Sequence, residues 1–295
     1  MARGELFAPM KKLIAFLLFG AASIGFFFLD DYLRDGFALR HIASRYALAL
    51  PPVEQESPPE ALFNQEFTYL AKGTQVYVFA SADGNYVLKF FRHSRFDPPL
   101  LHPERAEQRD AKRQAMLKST HLAFTDLKEE SGLIYIHLTP TVGRLGTVRL
   151  RDALGTRYEL PLDSYEFFVQ KRAEGLYPHL SHFIASGDKK GAQEALDAVL
   201  GLLVTRYEKG IKDYDATLHR NLGFVGNRPI FLDVGQFERR ESIKDPAFYC
   251  KEMQYITRKL NLWLQSAAPE LNSYLLAELA SNESCRHMES AHLKK

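Results

Sequence analysis

The chain changes character near Lys171, and that change limits the folds open to it. Before it lie FTYLAKGTQVYVFA (67–80), YVLKFFR (86–92), LIYIHL (133–138) and YEFFVQK (165–171), aromatic and β-branched runs that read as strands. After it, GAQEALDAVLGLLVTRYEKG (191–210) sets Ala195, Val199, Leu202 and Leu203 on one helical face, and helical patterns return over 246–265 and 268–280. SADGN supplies an Asp-Gly turn before the third strand, and TVRLRDALGTRYELPL reads as a hairpin around Leu154-Gly155. One helical stretch interrupts the first half, residues 104–128, introduced by Pro103 and ended by Gly132, with Ala111, Ala115 and Leu122 on one stripe. A strand-rich half followed by a helix-rich half predicts an α+β layout in two lobes.

Composition agrees: 46% of the 295 residues are hydrophobic and 25% charged, enough for one large domain or two lobes. The formal net charge of +2 gives no field to recruit nucleic acid, and no nucleic-acid partner is expected. Cys250 and Cys285 stand 35 residues apart without a CxxC, so neither a zinc site nor a disulfide framework is indicated, and whether they pair is left open.

The N-terminus carries LIAFLLFGAASIGFFFL, residues 13–29, an uncharged run of 17 preceded by Lys11 and Lys12 and stopped by Asp30 and Asp31. Met10-Lys11-Lys12 is a more natural beginning for it than Met1. Its length suits a single-pass membrane anchor or a long signal segment. Ala21, Ala22 and Ser23 offer a cleavage site, which would leave a secreted body, but Ile24 to Leu29 stay apolar beyond it and favour an anchor. Basic residues before the run and aspartates after it put the body on the outer side. Tyr32, Leu33, Phe37, Leu39 and Ile42 then recur at roughly helical spacing over 31–46, and PPVEQESPPE (51–60) reads as a stiff linker. The expected segments are therefore the anchor (1–30), a helical and proline-rich linker (31–60), the N-lobe (61–172) and the C-lobe (173–295), whose last residues are polar and read as frayed.

Chemistry concentrates in two places. Lys89 sits among large apolar residues within a strand, eleven residues after Val78, and Gly73 breaks the strand pair before it. Such a lysine either reaches a partner or snorkels to solvent. Later, GIKDYDATLHRNLGFVGNRPIFLDVGQF (210–237) runs acid cluster, asparagine, short strand, turn, short strand, Asp-x-Gly. On its own this is a hairpin whose acids face water. With Lys89 before it and the strand-then-helix order around it, it resembles the catalytic segment of the protein-kinase superfamily over residues 65–265.

That resemblance implies a two-lobed protein-kinase-like fold, strand-rich N-lobe and helical C-lobe, with ATP and Mg²⁺ held between the lobes; the N-terminal hydrophobic segment read above precedes it. Gly73 and Val78 then belong to the loop and strand over the nucleotide, although Ala71 and Val76 stand where the family has glycines. Lys89 pairs with the phosphates, and Glu107 holds the lysine, with Glu104 as competitor. Setting His219-Arg220-Asn221 on the family's His-Arg-Asp leaves twelve residues to Asp233, too few. Counted back from Asp233, Asp215 lies 18 residues before and Asn221 twelve before, which makes Asp215 the base and Asn221 and Asp233 the metal ligands. Asp215 to Asn221 is six residues rather than five, so the loop bulges or Asp213 is the base. The chain has no Ala-Pro-Glu and reaches DPAFYCKEMQYI (245–256) about a dozen residues past Asp233, leaving no room for a peptide-docking segment. The expected acceptor is therefore a hydroxyl on a lipid, sugar or other small molecule, or an atypical protein substrate. The alternative is a non-catalytic, membrane-tethered pseudokinase that binds nucleotide or a protein partner.

Overall fold

In the computed structural model, which describes residues 7–43, 58, 60–98 and 102–281, a sheet-rich part packs against a helical part. Helix α1 (Phe7–Leu33) comes first. The sheet-rich part is one seven-stranded sheet of β1 (Glu66–Lys72), β2 (Val76–Ser81), β3 (Tyr86–Phe91), β4 (Leu133–His137), β5 (Thr147–Arg151), β6 (Arg157–Pro161) and β7 (Phe167–Lys171), in the order β4-β7-β3-β2-β1-β5-β6. Every neighbouring pair is antiparallel except β1 and β5. Helix α2 (Ala106–Asp126) lies on one face.

Beyond β7 the short strand β8 (Glu174–Gly175) leads into α3 (Leu176–Ser186) and α4 (Lys189–Glu208). Asp188 caps α4 by accepting the Gly191 N–H at 2.9 Å, satisfying one of the amides a helix start leaves open. Short strands β9 (Ile211–Asp213), β10 (Leu222–Val225), β11 (Arg228–Phe231) and β12 (Phe237–Arg239) follow, then α5 (Pro246–Ala267) and α6 (Pro269–Ser281). In α5, Pro246 stands at the first helical position, where a missing N–H costs nothing, and Asp245 caps the helix by accepting the Ala247 N–H.

Period-two alternation decides what faces the cleft. Tyr77 and Phe79, Leu88 and Phe90, Phe167 and Val169 enter one apolar cluster on the outer face of the sheet. The residues between them, Val76 and Val78, Lys89, Phe168 and Gln170, therefore point to the helical part. A slip of one residue in β3 would exchange Lys89 with Phe90, so burial of the outer cluster pins the register.

Three expectations are corrected here. The helical spacing over 31–46 does not make one helix: α1 ends at Leu33, the chain turns at 34–36, and a single helical turn follows over Leu39–Ile42. Asp35 adopts φ +53°, a left-handed conformation that no helix interior accommodates. Ala111 and Ala115 of α2 are exposed, and the buried stripe is Arg113, Met116, Leu117, Ser119, Thr120, Ala123 and Phe124. Residues 176–186, for which no element is expected from the sequence, form α3. The proline-rich linker falls almost wholly outside the described residues, as do Cys285 and the polar C-terminus.

Phe37 and Ile42, at 1% and 0% exposure, belong to the outer cluster, so the segment after α1 is core rather than tether. Ile42→Val is expected to lower the unfolding free energy by about 1 kcal/mol in a urea titration in detergent micelles. No change would mean that the segment only rests on the sheet.

Candidate active site

A cleft of about 670 Å³ opens between the two parts. The loop Lys72–Val76 between β1 and β2 forms its roof, and Asp215, Thr217, Asn221 and the stretch Leu232–Gly235 form its floor. Lys89 enters from β3. It is 8% exposed, its Nζ donates to the Leu232 carbonyl at 2.7 Å, and it lies 5.5 Å from the centroid of the Phe168 ring. Burial brings its pKa down to about 8, against the pull of Asp233, which favours the charged form.

Asn221 and Asp233 flank one hairpin. β10 and β11 pair from Leu222 opposite Phe231 to Val225 opposite Arg228, and the Leu232 N–H donates to the Asn221 carbonyl at 2.7 Å. Asn221 precedes the hairpin and Asp233 follows it, so the pairing that closes the strands also brings these two residues together. The Asp233 Oδ1 accepts the Gly235 N–H at 2.9 Å, which fixes the carboxylate at the strand end. A Cβ on Gly235 would collide with the Gln75 Oε1 reaching down from the roof, so a glycine lets the roof approach Asp233. Gly73 is different: a Cβ there would meet the Val76 Cγ2 at an ordinary 3.4 Å, so close packing does not require it.

The extra residue between Asp215 and Asn221 is absorbed by a turn. The Thr217 N–H donates to the Asp215 carbonyl at 2.7 Å, the Asn221 N–H donates to the Thr217 carbonyl at 3.0 Å, and the Asn221 Nδ2 donates to the Asp215 carbonyl. The side chain of Asp215 faces the cleft, one oxygen accepting from the Thr217 hydroxyl at 3.0 Å. Asp213 does not line it. Its buried carboxylate, raised to about 6 by desolvation and held down by Arg206 at 3.5 Å, accepts the Asp215 N–H at 2.9 Å and so props the loop from behind. Of the two aspartates that spacing left open, Asp215 lines the cleft and Asp213 lies behind it.

Glu107 is not at the site. It lies exposed in the first turn of α2, and the α2 residues that line the cleft are Met116 and Thr120, about two and a half and three and a half turns further along. Glu104 is exposed as well, in the turn before α2. The expectation fails because it follows the Ala111–Ala115 stripe, and the helix turns that stripe to solvent. What α2 contributes instead is Ser119, whose hydroxyl donates to the Val234 carbonyl and accepts the Phe237 N–H, both at 2.5 Å. It clamps the Asp233 segment from the far side. Ser119, Gln75 and Thr217 escape a sequence reading because a lone hydroxyl or amide in a polar stretch carries no spacing signal.

Among the described residues there is no group of three or more His, Cys, Asp or Glu suited to a metal. The oxygen donors at the cleft floor, the Asp233 carboxylate and the Asn221 amide oxygen, suit a hard divalent cation that takes its remaining ligands from water and phosphate.

No protein-family model and no curated protein matches the sequence. Among solved structures, the chain is similar to the bifunctional kinase-methyltransferase WbdD (TM-score 0.34, 16% identity, covering 62% of this chain and 34% of that one). WbdD bound to the kinase inhibitor LY294002 gives a TM-score of 0.32 at 16% identity, over 72% of this chain and 44% of that one. WaaP in complex with acyl carrier protein gives 0.31 at 12% identity, over 75% and 90%. The chain thus spans between a third and a half of the WbdD chains. Likenesses this distant assign no family, and the functional reading stands on the cleft's own residues.

Proposed function

We propose that the chain is a two-lobed, kinase-like phosphotransferase that holds ATP and Mg²⁺ in this cleft and transfers the γ-phosphoryl group to a hydroxyl. The observation that carries the proposal is the convergence of a buried lysine, an asparagine and two aspartates on one cleft, with Lys89 bonded to the carbonyl next to Asp233. A charge taken out of water at this cost points to a site that uses it.

In this reading Lys89 neutralises nucleotide phosphate, and Gly73 and Val78 on the roof cover phosphates and base. Asp233 and Asn221 would hold magnesium, which when bound offsets charge on the phosphate oxygens. The free oxygen of Asp215 accepts the acceptor's hydroxyl proton as its oxygen bonds to the γ-phosphorus and the bond to the β–γ bridging oxygen breaks, leaving ADP. α1, long and apolar enough over Phe16–Leu33 to cross a membrane, anchors the body to one, and the nucleotide has to be present on the side where the body lies.

A second reading, nucleotide binding without transfer, is favoured by the exposure of Glu107, which leaves Lys89 without that carboxylate beside it. Both readings predict that Mg²⁺ and ATP raise the melting temperature of the full chain in detergent micelles, by the equivalent of about 2.7 kcal/mol at a hundredfold excess over Kd. An unmoved melting temperature over millimolar ATP would overturn them together. Release of labelled phosphate to an acceptor separates the first from the second.

A further inference from the structure

The lip of the cleft is fastened to the end of α1. This helix is long and apolar enough over Phe16–Leu33 to cross a membrane, and none of that stretch is buried. Two successive left-handed residues, Asp35 and Gly36 (φ +53° and +71°), then turn the chain onto the sheet. Phe37 plugs in among Tyr69, Tyr77, Phe79 and Tyr158, with ring centroids 5.2–6.5 Å apart. Arg34 pairs with the fully buried Asp152 and donates to the Tyr158 hydroxyl at 3.0 Å.

The next contacts reach the cleft itself. The Asp35 carboxylate accepts from the Tyr69 hydroxyl at 2.6 Å and pairs with Lys72 Nζ at 2.6 Å, and the same ammonium donates to the Asp35 carbonyl at 2.8 Å. The Tyr77 hydroxyl donates to the Gly36 carbonyl. Lys72 ends β1 and lines the cleft. Arg92, 5.1 Å from the centroid of the Tyr77 ring, donates to the Gly73 and Thr74 carbonyls at 2.8 and 3.2 Å. An unbroken chain of contacts thus joins the membrane exit to the roof loop.

Magnitudes then bound the height of the lip. Asp35 lies six residues beyond Leu29, where the uncharged run ends, so four helical residues at about 1.5 Å and two extended ones at about 3.6 Å hold the Asp35–Lys72 pair within roughly 13 Å of that end. The headgroup layer on each side of a bilayer is about 5–8 Å thick. Leu70, also lining the cleft, leaves 47% of its surface exposed at this lip, apolar surface that an acyl or prenyl chain would cover. Resting on the phosphotransferase reading, we infer that the acceptor is a membrane amphiphile whose hydroxyl lies in or just above the headgroup layer, and not a water-soluble sugar. The product is then its phosphate monoester, with the hydroxyl proton taken by Asp215 and ADP released.

The test uses the full chain in nanodiscs made from the source organism's total lipid extract, given γ-³²P-ATP and Mg²⁺, with free glucose and mannose in the buffer. Label is expected in the organic phase. A second form carries three EAAAK units between Leu33 and Arg34, which lift the body by about 22 Å; Arg34 to Phe37 keep their partners on the sheet and give up only those on α1, Asp30, Asp31 and Tyr32. Its stabilisation by Mg²⁺ and ATP is expected to match the original, and its lipid labelling to fall at least tenfold. Label confined to the free sugars, or lipid labelling undiminished in the lifted form, overturns the inference and leaves the phosphotransferase reading intact. Absence of both labelling and nucleotide stabilisation in the original chain overturns that reading, and the inference with it.

Discussion

Asp233→Asn is expected to lower phosphate transfer by about a thousandfold or more while the fold survives. The amide oxygen of asparagine still accepts the Gly235 N–H that Asp233 accepts at 2.9 Å, so the turn after β11 keeps its bond. What is lost is the negative charge. A metal at the cleft floor would then have two neutral amides in place of one amide and one carboxylate, and Lys89 would lose the charge that partly offsets its burial. A thousandfold is about 4 kcal/mol of transition-state stabilisation, within the several kcal/mol that a bound metal supplies to a transferring phosphoryl group. The measurement is single-turnover transfer at saturating Mg²⁺ and ATP, with the melting temperature as a fold control. Transfer within tenfold of the original at an unchanged melting temperature would remove Asp233 from the metal site.

Much of the floor is readable in the sequence because spacing is rigid there. Asp215, Asn221 and Asp233 are picked out by the intervals of the kinase family that the stretch resembles; all three line one cleft, and the hairpin with a tight turn at Gly226 sets the separation of Asn221 and Asp233 at its ends. Lys89 is readable because alternation in β3 leaves a charged residue on a buried face. Helix α2 is not. Its composition is charged on all sides, and its buried stripe includes Arg113, Ser119 and Thr120, so no apolar periodicity marks the face that meets the sheet. The break at Asp35 is hidden for another reason: a non-glycine residue in a left-handed turn has no signature in the sequence, and Tyr69 and Lys72, which hold it there, lie 34 and 37 residues away. Tertiary contacts override local pattern at that point, and they are the contacts that bind α1 to the cleft.

Lys89→Met is expected to raise the melting temperature while abolishing transfer. In the unfolded chain the ammonium titrates at 10.5, and in the fold burial moves it to about 8. At about 1.4 kcal/mol per pH unit, holding the charge there costs on the order of 3 kcal/mol at neutral pH. Methionine fills similar space without the charge, and loses the hydrogen bond to the Leu232 carbonyl, worth about 1 kcal/mol, and the approach of the ammonium to the Phe168 ring, worth about 0.5 kcal/mol. A net gain of about 1–2 kcal/mol follows. The sign of the pH dependence is specific. Below about pH 8 the lysine is charged in both states and its cost is fully present; between pH 8 and 10.5 the unfolded chain binds more protons, so the parent chain gains stability as pH rises; above 10.5 the cost is gone. The advantage of the methionine form should therefore shrink across that window and stay constant below it. Transfer by the parent chain should run the other way, its kcat/KM for nucleotide falling above about pH 8 as free Lys89 loses its proton. A methionine form less stable than the parent at pH 7 would show that Lys89 holds the cleft together. A more stable, inactive one would show that the chain keeps this charge against the preference of its own fold, for the phosphate it is there to meet.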